Sequence, residues 1–403
     1  MEQYSLEMFI LTVSEKILGL VTGLGILQGI LLAALVYFHP KSDRSVNIFL
    51  SLFIFFITAV MSIPFAIRLV GWQNNFYLVP ISLIPGPFLY LYLRSFKEKI
   101  TFKKAWPHFI ITIVYVGLSY WNLSIMSKRY PDAVEVPGEV LNSASTLFIA
   151  FSKSVQQILY YFFARKALKS YQRSINHLFS DTSRINMNWA RYLINGYLLL
   201  NVFFLIVFPI MLRFPEYFNL LLLINMAIAS PYIYIATYKG IIQPTVWQTQ
   251  IAVSKETAVV EMKEAEVIEA SKNGKHVKQE TPARQDGRLD SLVAGITALM
   301  EDEKLYQETE LTLHQLATRL EVPTYMVSQA LNEGMKKNFY DLVNGYRVEE
   351  AKRLLLDSGN RNYTILSVGF EAGFNSKTTF NTVFKKFTGL TPTDFRDKER
   401  VMA

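Results

Sequence analysis

Long apolar stretches alternate with short polar ones over the first 240 residues of the chain. Each apolar stretch holds roughly 20 residues, enough for a helix to cross a hydrocarbon core of ~30 Å. The pattern therefore predicts a polytopic bundle of seven transmembrane helices, at residues 17–38, 47–67, 77–96, 107–126, 141–164, 189–212 and 217–238. Prolines in the second, third and seventh stretches are expected to kink those helices, because proline removes a backbone hydrogen bond.

The pattern changes after residue 240. Residues 241–287 are charged and poor in aromatic side chains; their first part could form a charged helix, and residues 271–287 are typical of a disordered linker. Apolar positions at helical spacing then predict an amphipathic helix at 288–303, which would either pack onto the next domain or pair two protomers. The predicted fold is all-α, with a membrane domain at 1–240, a charged cytoplasmic linker at 241–287 and a helical domain at 288–403.

The helical domain contains the pattern of a helix-turn-helix unit. Thr312 and Gln315 have the spacing of a capping box, in which each side chain bonds the backbone N–H of the other residue. After a short turn, Pro323 is expected at the first position of the next helix, where its missing N–H costs nothing. That helix, residues 324–332, directs Val327 and Leu331 inward by its apolar spacing.

A second unit of the same kind follows a connecting helix at residues 339–357. It begins near Thr364, turns at Gly373 and re-enters a helix at Ser376. The core stripe of this second unit is Phe374, Phe380, Val383, Phe384 and Phe387. The connecting helix of ~19 residues would span ~28 Å, close to the ~34 Å of one turn of DNA. Two recognition helices could thus enter successive major grooves on one face of a duplex.

Exposed side chains of these two recognition helices are the candidate DNA contacts. Ser, Thr, Asn and Gln suit the edges of bases, whereas Lys suits phosphates. The predicted DNA-binding residues are Thr324, Tyr325, Ser328, Gln329, Asn332, Ser376, Lys377, Thr379, Asn381, Lys385 and Lys386.

Residues 304–397 resemble the DNA-binding domain of the AraC/XylS family of transcription factors. The resemblance runs through Leu311-Thr312-Leu313, Leu316-Ala317, Ser328-Gln329-Ala330-Leu331-Asn332-Glu333, Asn344-Gly345-Tyr346-Arg347, Ala351, Leu354-Leu355, Gly373-Phe374, Phe380, Phe384-Lys385-Lys386, Gly389 and Thr391-Pro392. It implies a transcriptional regulator that binds double-stranded DNA, with recognition helices at 324–332 and 376–386. RNA polymerase and a second protomer are further candidate partners.

The chain departs from this family's pattern at Val368-Gly369, where Ile-Ala is usual. Glycine in a helix costs about 1 kcal/mol relative to alanine, so the first helix of the second unit is expected to be softer. The organisation of seven spans joined to such a domain also resembles membrane-tethered regulators of the same family.

The net charge of +8 does not itself indicate nucleic-acid binding. Residues 1–240 carry a net +10, residues 241–303 a net −4 and residues 304–403 only +2. Loops after the first, third and fifth predicted spans hold eleven Lys and Arg, against five in the N-terminus and the other loops. By the positive-inside rule, the N-terminus lies outside and the C-terminal domain in the cytoplasm. We therefore predict a multi-pass protein of the bacterial inner membrane, with the lipid bilayer as a partner.

A charged residue, Lys153, lies near the middle of the fifth predicted span. A charge at that depth costs about 2.5–3.5 kcal/mol on insertion scales and is a candidate functional group. Together with Gln157, it is a candidate binding site for an anionic signal molecule or lipid head group. The alternative is an interior ammonium held by amides, hydroxyls, carbonyls and water, since no Asp or Glu lies within the predicted spans.

The side chains available exclude several chemistries. Because the chain has no cysteine, disulfides, thiolate metal sites and thiol catalysis are excluded. The five histidines are scattered and none has a zinc spacing. We predict no catalytic residue, no metal, no cofactor and no enzymatic activity.

The leading hypothesis is a membrane-bound one-component transcription regulator whose membrane domain responds to an unknown signal molecule or partner protein. One alternative is a membrane anchor that does not sense and is regulated by a partner or by proteolysis; another is a transporter or membrane enzyme fused to a regulator. Exchanging the spans for an unrelated anchor would separate the first two, and substrate-dependent flux in vesicles would reveal the third.

Overall fold

The computed structural model describes residues 20, 23–39, 44–70, 76–131, 144–183, 185, 187–214, 217–242, 282–357 and 363–402. Within this part of the chain no strand forms, and extended pairing is limited to an isolated antiparallel bridge between Phe179 and Thr312. The all-α prediction is therefore confirmed for the described residues. Most of the predicted linker, residues 243–281, lies outside them.

The chain forms two compact units. The first comprises Met1–Tyr171 and Met187–Gln250, and the second comprises Gln172–Asn186 and Ile251–Ala403. The second unit thus includes a segment that the sequence pattern assigns to the loop after the fifth predicted span.

Helices make up the first unit. They are α1 (Gly23–Tyr37), α2 (Arg44–Val70), α3 (Pro85–Ser95), α4 (Phe102–Ala105), α5 (Ile110–Arg129), α6 (Ala144–Leu178), α7 (Asn188–Arg213) and α8 (Phe218–Ile242), with 3₁₀ turns at Phe76–Leu83 and Trp106–Phe109. Helix α6 is continuous past Tyr171, so its last residues belong to the second unit.

Three helices among the described residues are long and apolar enough to cross a membrane: Arg44–Ile63, Phe102–Arg129 and Asn188–Met211. They coincide with the second, fourth and sixth predicted spans. Gly23–Tyr37, at the first predicted span, is a shorter apolar helix. The structure therefore supports three spans where the sequence pattern predicts seven.

The third predicted span is not a single helix. Its first part is a 3₁₀ helix containing Pro80, and an α-helix begins only at Pro85. The prolines here interrupt the helix, where the sequence predicted only a kink, because closely spaced prolines remove several N–H donors from one stretch. A single proline, as at Pro231 within α8, is accommodated inside a continuous helix.

The second unit holds the two helix-turn-helix motifs. Its helices are α9 (Pro282–Glu301), α10 (Leu313–Arg319), α11 (Thr324–Gln329), α12 (Phe339–Leu356), α13 (Ile365–Glu371), α14 (Lys377–Thr388) and α15 (Pro392–Met402), with a 3₁₀ turn at Leu305–Gln307 and a π-helical turn at Ala330–Gly334.

Local capping signals in the sequence set the ends of these helices. Thr312 and Gln315 form both hydrogen bonds of the predicted capping box. Thr364 and Ser376, at which the sequence predicted the starts of the two helices of the second motif, cap α13 and α14 through their side chains. Pro323 differs from its prediction: it is the extended residue that precedes α11, so the helix begins one residue later, at Thr324.

Each helix-turn-helix unit has its own hydrophobic core, and α12 contributes to both. Its first turns supply Phe339, Leu342 and Val343 to the first core. Its later turns supply Val348, Ala351 and Leu355 to the second core. The connecting helix is therefore a shared structural element, and the residues between these two sets lie at the junction of the units.

Helix α9 packs on the first core, where Ile296 and Met300 are fully buried. Of the two roles predicted for this helix, packing onto the next domain is confirmed. The helix also begins at Pro282, inside the stretch that the sequence predicted as linker.

The core of the second helix-turn-helix motif explains why glycine occupies position 369 on α13. A methyl group at this position would lie 2.7 Å from Cδ1 and 2.9 Å from Cγ of Phe380, a ring that is fully buried. The glycine therefore lets α13 approach that ring closely, which offsets its poor helix propensity.

We expect Gly369→Ala to destabilise the second helix-turn-helix motif by about 1–3 kcal/mol, as in other overpacked cores. Faster hydrogen exchange of the α13 and α14 amides in the full-length protein measures the effect. Gly345→Ala is the matched control: its methyl would sit 3.8 Å from Phe387, an ordinary contact, so alanine should stabilise α12 by up to about 1 kcal/mol. Equal effects of the two variants would contradict the packing explanation.

Candidate DNA interface

The first recognition helix consists of α11 and the π-helical turn after it. Val327 and Leu331 are buried, as predicted. Thr324, Tyr325, Ser328 and Gln329 are half-buried, and Asn332 is exposed. Apolar packing on one side thus leaves a polar surface on the other, with the predicted residues on it.

Two side-chain pairs organise this polar surface. Gln329 Nε2 donates to Glu333 Oε2 at 2.9 Å, and Asn332 Nδ2 lies 3.5 Å from Ser328 Oγ. Both pairs join residues four positions apart, which are neighbours on a helix. The amides that could bond base edges are therefore held along the helix before any ligand arrives.

The second recognition helix is α14, and its amino end is tightly capped. The Ser376 hydroxyl accepts a hydrogen bond from the Thr379 backbone N–H at 3.1 Å and shares another with the Thr379 hydroxyl at 2.8 Å. Thr379 is only 8 % exposed. The structure thus gives Thr379 a capping role and leaves little of its side chain at the surface, and its contact with DNA stays a prediction.

The exposed face of α14 follows helical periodicity. Lys377, Thr378, Thr382 and Lys385 are exposed and Asn381 is half-buried. Thr378 and Thr382 were not among the predicted contacts, although their spacing from Lys385 places them on this face. On the opposite side Phe374, Phe380, Val383 and Phe384 are buried as predicted, whereas Phe387 is 38 % exposed and lies at the edge of the core stripe.

The lysines of α14 differ in their partners. Among the described residues, neither Lys377 nor Lys385 forms an ion pair. Lys386 Nζ pairs with Asp341 at 2.8 Å and stands 4.8 Å from the centre of the Tyr340 ring. Lys377 and Lys385 are thus available for phosphate, while Lys386 is engaged with α12.

Arg347 lies at the junction of the two helix-turn-helix units and is 1 % exposed. Its Nε donates to the Tyr306 carbonyl at 2.7 Å and its Nη2 to the Glu308 carbonyl at 2.7 Å. Its guanidinium carbon is 5.8 Å from the centre of the Phe374 ring in the second helix-turn-helix motif. Burial lowers the pKa of Arg347 to about 10, opposed by the charge of Asp181, so the side chain stays protonated at neutral pH. The sequence resemblance contained Arg347 but gave it no role.

The turn between α13 and α14 meets the segment before the first helix-turn-helix motif at Gly373, within the second compact unit. This residue has φ +92°, and a methyl group on it would lie 2.6 Å from the Tyr306 carbonyl oxygen and 2.8 Å from Gln307 Cα. Only glycine combines that backbone conformation with such a close approach. Arg347 and Gly373 therefore fix the relation of the two helix-turn-helix motifs within this unit.

Lys153 and Gln157, the predicted ligand residues, belong to α6 within the first compact unit. Gln157 is buried: its Nε2 donates to the Ser82 carbonyl at 3.1 Å and its Oε1 accepts from the Tyr197 hydroxyl at 2.6 Å. Lys153 Nζ stands 4.6 Å from the centre of the Phe204 ring. These contacts give both residues packing partners. Among the described residues, no group of His, Asp and Glu is arranged to hold a metal ion.

Searches of curated proteins and of solved structures returned no match to this chain. A family described as "Helix-turn-helix domain" matches residues 316–398. The match runs from α10 through the junction helix α12 into α15, and so covers both motifs and both recognition helices. Residues 316–398 are thus an AraC-type helix-turn-helix domain, which is a DNA-binding regulatory domain and not a catalytic one.

Proposed function

We propose that this protein is a membrane-bound transcription regulator that binds specific duplex sites through α11 and α14 and receives its signal through the first unit. The observation that carries the DNA-binding part is the face of α14, where two lysines that form no ion pair with any described residue flank threonine and asparagine side chains. Lysine anchors the phosphate backbone, and the polar side chains between can reach base edges.

Membrane attachment is supported by the three apolar helices of sufficient length and by the distribution of basic residues. Cytoplasmic loops carry an excess of Lys and Arg in multi-pass proteins. The same asymmetry puts the helix-turn-helix domain on the side of the membrane where DNA is found. The first unit also has a cavity between α1, α2 and α8, lined in part by Gln28, Thr58, Ser62 and Tyr234, which offers space for a small signal molecule.

The experiment begins with full-length protein in lipid nanodiscs and a pool of sheared genomic duplexes, from which bound fragments are selected. Lys377→Ala and Lys385→Ala should each weaken binding to the selected duplex and lower the salt dependence of the association constant by about one unit of slope. Each substitution removes one phosphate contact, so the loss should be similar for all duplex sequences.

Lys352→Ala is the matched control. Lys352 lies on α12 and pairs with Glu349 at 2.7 Å, so its removal changes the net charge equally without touching a recognition helix. An equal loss of affinity and slope in this variant would defeat the assignment of α14 as the phosphate-contacting helix. Failure of the wild-type protein to retain any duplex would defeat DNA binding itself.

A further inference from the structure

We propose that residues 172–183, hereafter the strap, form an inhibitory contact that docks on the helix-turn-helix domain and is released when the protein binds DNA. The inference rests on the proposed function and adds its regulation. The strap consists of the last turns of α6 and the residues after it, and it belongs to the same compact unit as the DNA-binding helices.

Ser180 is the centre of the contact and is fully buried. Its backbone N–H and its hydroxyl both donate to the Leu311 carbonyl, at 3.2 and 2.7 Å. Its carbonyl accepts from Asn344 Nδ2 at 2.8 Å, and its hydroxyl lies 3.3 Å from Arg347 Nη2. Every polar group of this residue is thus satisfied by the DNA-binding domain, which is typical of a built interface because buried polar groups without partners are costly.

The neighbours of Ser180 extend the contact on both sides. Phe179 forms an antiparallel bridge with Thr312, the residue that caps α10. Leu178 packs against the first hydrophobic core. The strap therefore touches the first motif through Leu311 and Thr312 and the junction helix α12 through Asn344 and Arg347.

Asp181 brings a negative charge to the second recognition helix. Its carboxylate accepts a hydrogen bond from the side-chain amide of Asn375, the residue immediately before the cap of α14. The amino end of a recognition helix is a favourable place for a DNA phosphate, since its backbone N–H groups point outward. With the strap docked, a carboxylate lies beside that end and the Asn375 amide is already engaged.

The same stretch of chain also approaches the basic end of α14. Burial of the imidazole lowers the pKa of His177, and the charge of Asp341, the partner of Lys386, opposes this shift. Asp341 therefore has the strap on one side and a lysine of the recognition helix on the other. The docked strap therefore changes the surroundings of α14 at both the amino and the carboxyl end of that helix.

Release of the strap can be controlled from the first unit. Helix α6 is continuous from Ala144 to Leu178 and includes most of the fifth predicted span, so no flexible linker separates that stretch from the strap. A shift or rotation of α6 would move Leu178, Phe179 and Ser180 with it.

The test uses the absence of cysteine from the natural sequence. In Phe179→Cys/Thr312→Cys, the two Cα atoms of a bridge pair are expected about 4.5–5.5 Å apart, within the range that a disulfide spans. Full-length protein in nanodiscs is oxidised or reduced and titrated with the duplex selected from the genomic pool. Oxidation should lock the strap and weaken binding about tenfold or more, within the usual range of allosteric couplings, and reduction should restore it.

The two single-cysteine variants, treated in the same way, control for loss of the Thr312 cap and for oxidation. Asp181→Asn should tighten binding about threefold, the size of one partly exposed charge interaction, whereas Glu349→Gln, with the same change of net charge on α12, should not. Equal affinity of the oxidised and reduced double variant, or tighter binding when oxidised, would overturn the inhibitory strap. Absence of binding in every form, including wild type, would instead reject the proposed function.

Discussion

Replacing Arg347 with methionine is expected to unfold the junction between the two helix-turn-helix motifs. Five acceptors lie within hydrogen-bonding distance of this guanidinium: the carbonyls of Tyr306, Glu308 and Thr309 and the side-chain oxygens of Asn344 and Ser180. Methionine fills similar space but donates nothing, so these buried oxygens lose their partner. Each buried oxygen left without a donor costs about 1–3 kcal/mol, so several of them together remove a large part of the stability of an ordinary domain.

Hydrogen exchange of full-length protein measures this effect, because amides of α10, α12 and α14 should lose protection together. Arg353→Met is the matched control on the same helix: that side chain is 58 % exposed and pairs with Glu350, so its loss should cost no more than about 1 kcal/mol. The loss of protection in Arg347→Lys should lie between those of Arg347→Met and Arg353→Met, since an ammonium keeps the charge but cannot reproduce the planar fork of donors. Unchanged protection in Arg347→Met would show that the junction does not depend on this side chain.

Gly373→Ala is expected to have the second large effect. The left-handed conformation at φ +92° costs an alanine roughly 1–2 kcal/mol, and its methyl would collide with the backbone of Tyr306 and Gln307. Backbone atoms cannot move out of the way as a flexible side chain can. Either the two motifs therefore separate or the turn before α14 adopts another conformation. We expect a total loss of about 3 kcal/mol or more, together with a loss of affinity for the selected duplex, because strain of this kind exceeds most surface effects.

Gly389→Ala separates the two causes. Gly389 ends α14 with φ +80°, but a methyl group there would have nothing within 4 Å, so this variant carries the conformational cost alone. Protection against hydrogen exchange should fall modestly in Gly389→Ala and severely in Gly373→Ala. Similar losses in both would mean that the contact with Tyr306 does not hold the motifs together.

These two positions show why the spacing of the recognition helices is fixed within the DNA-binding domain. Arg347 lies on α12 between the residues that enter the first core and those that enter the second. Gly373 brings the turn before α14 against the segment before α10. Because each motif has its own core, their mutual arrangement depends on this small polar junction, and Ser180 of the strap is one of its members.

Local patterns predicted much of the DNA-binding domain correctly. Capping by Thr312, Thr364 and Ser376 involves residues three positions apart, so it can be read from the sequence without tertiary information. The burial of Val327 and Phe380 follows in the same way from helical spacing. The capping role of Thr379 was not predicted, because residue type alone does not reveal that its hydroxyl turns back to Ser376.

In the first compact unit, the lengths of apolar stretches predicted the helix boundaries less well. The third predicted span is divided by Pro80 and Pro85, because hydropathy counts proline as compatible with a span while the backbone loses hydrogen bonds there. The fifth predicted span is part of a longer helix, α6, whose polar end belongs to the other unit. Composition indicates that a stretch can enter a membrane, but it does not determine where a helix stops.

By itself the sequence determined the all-helical class, two helix-turn-helix motifs with their caps and core faces, and the separation of an apolar half from a DNA-binding end. Each of these depends on residues that are close together in the chain. Only the tertiary structure decided that Gly369 makes room for Phe380, that Arg347 joins the two motifs and that Ser180 and Asp181 dock on them. Those contacts join residues between 11 positions apart, for Gly369 and Phe380, and 194 positions apart, for Asp181 and Asn375, and their energy comes from burial and from partners that no helical periodicity contains.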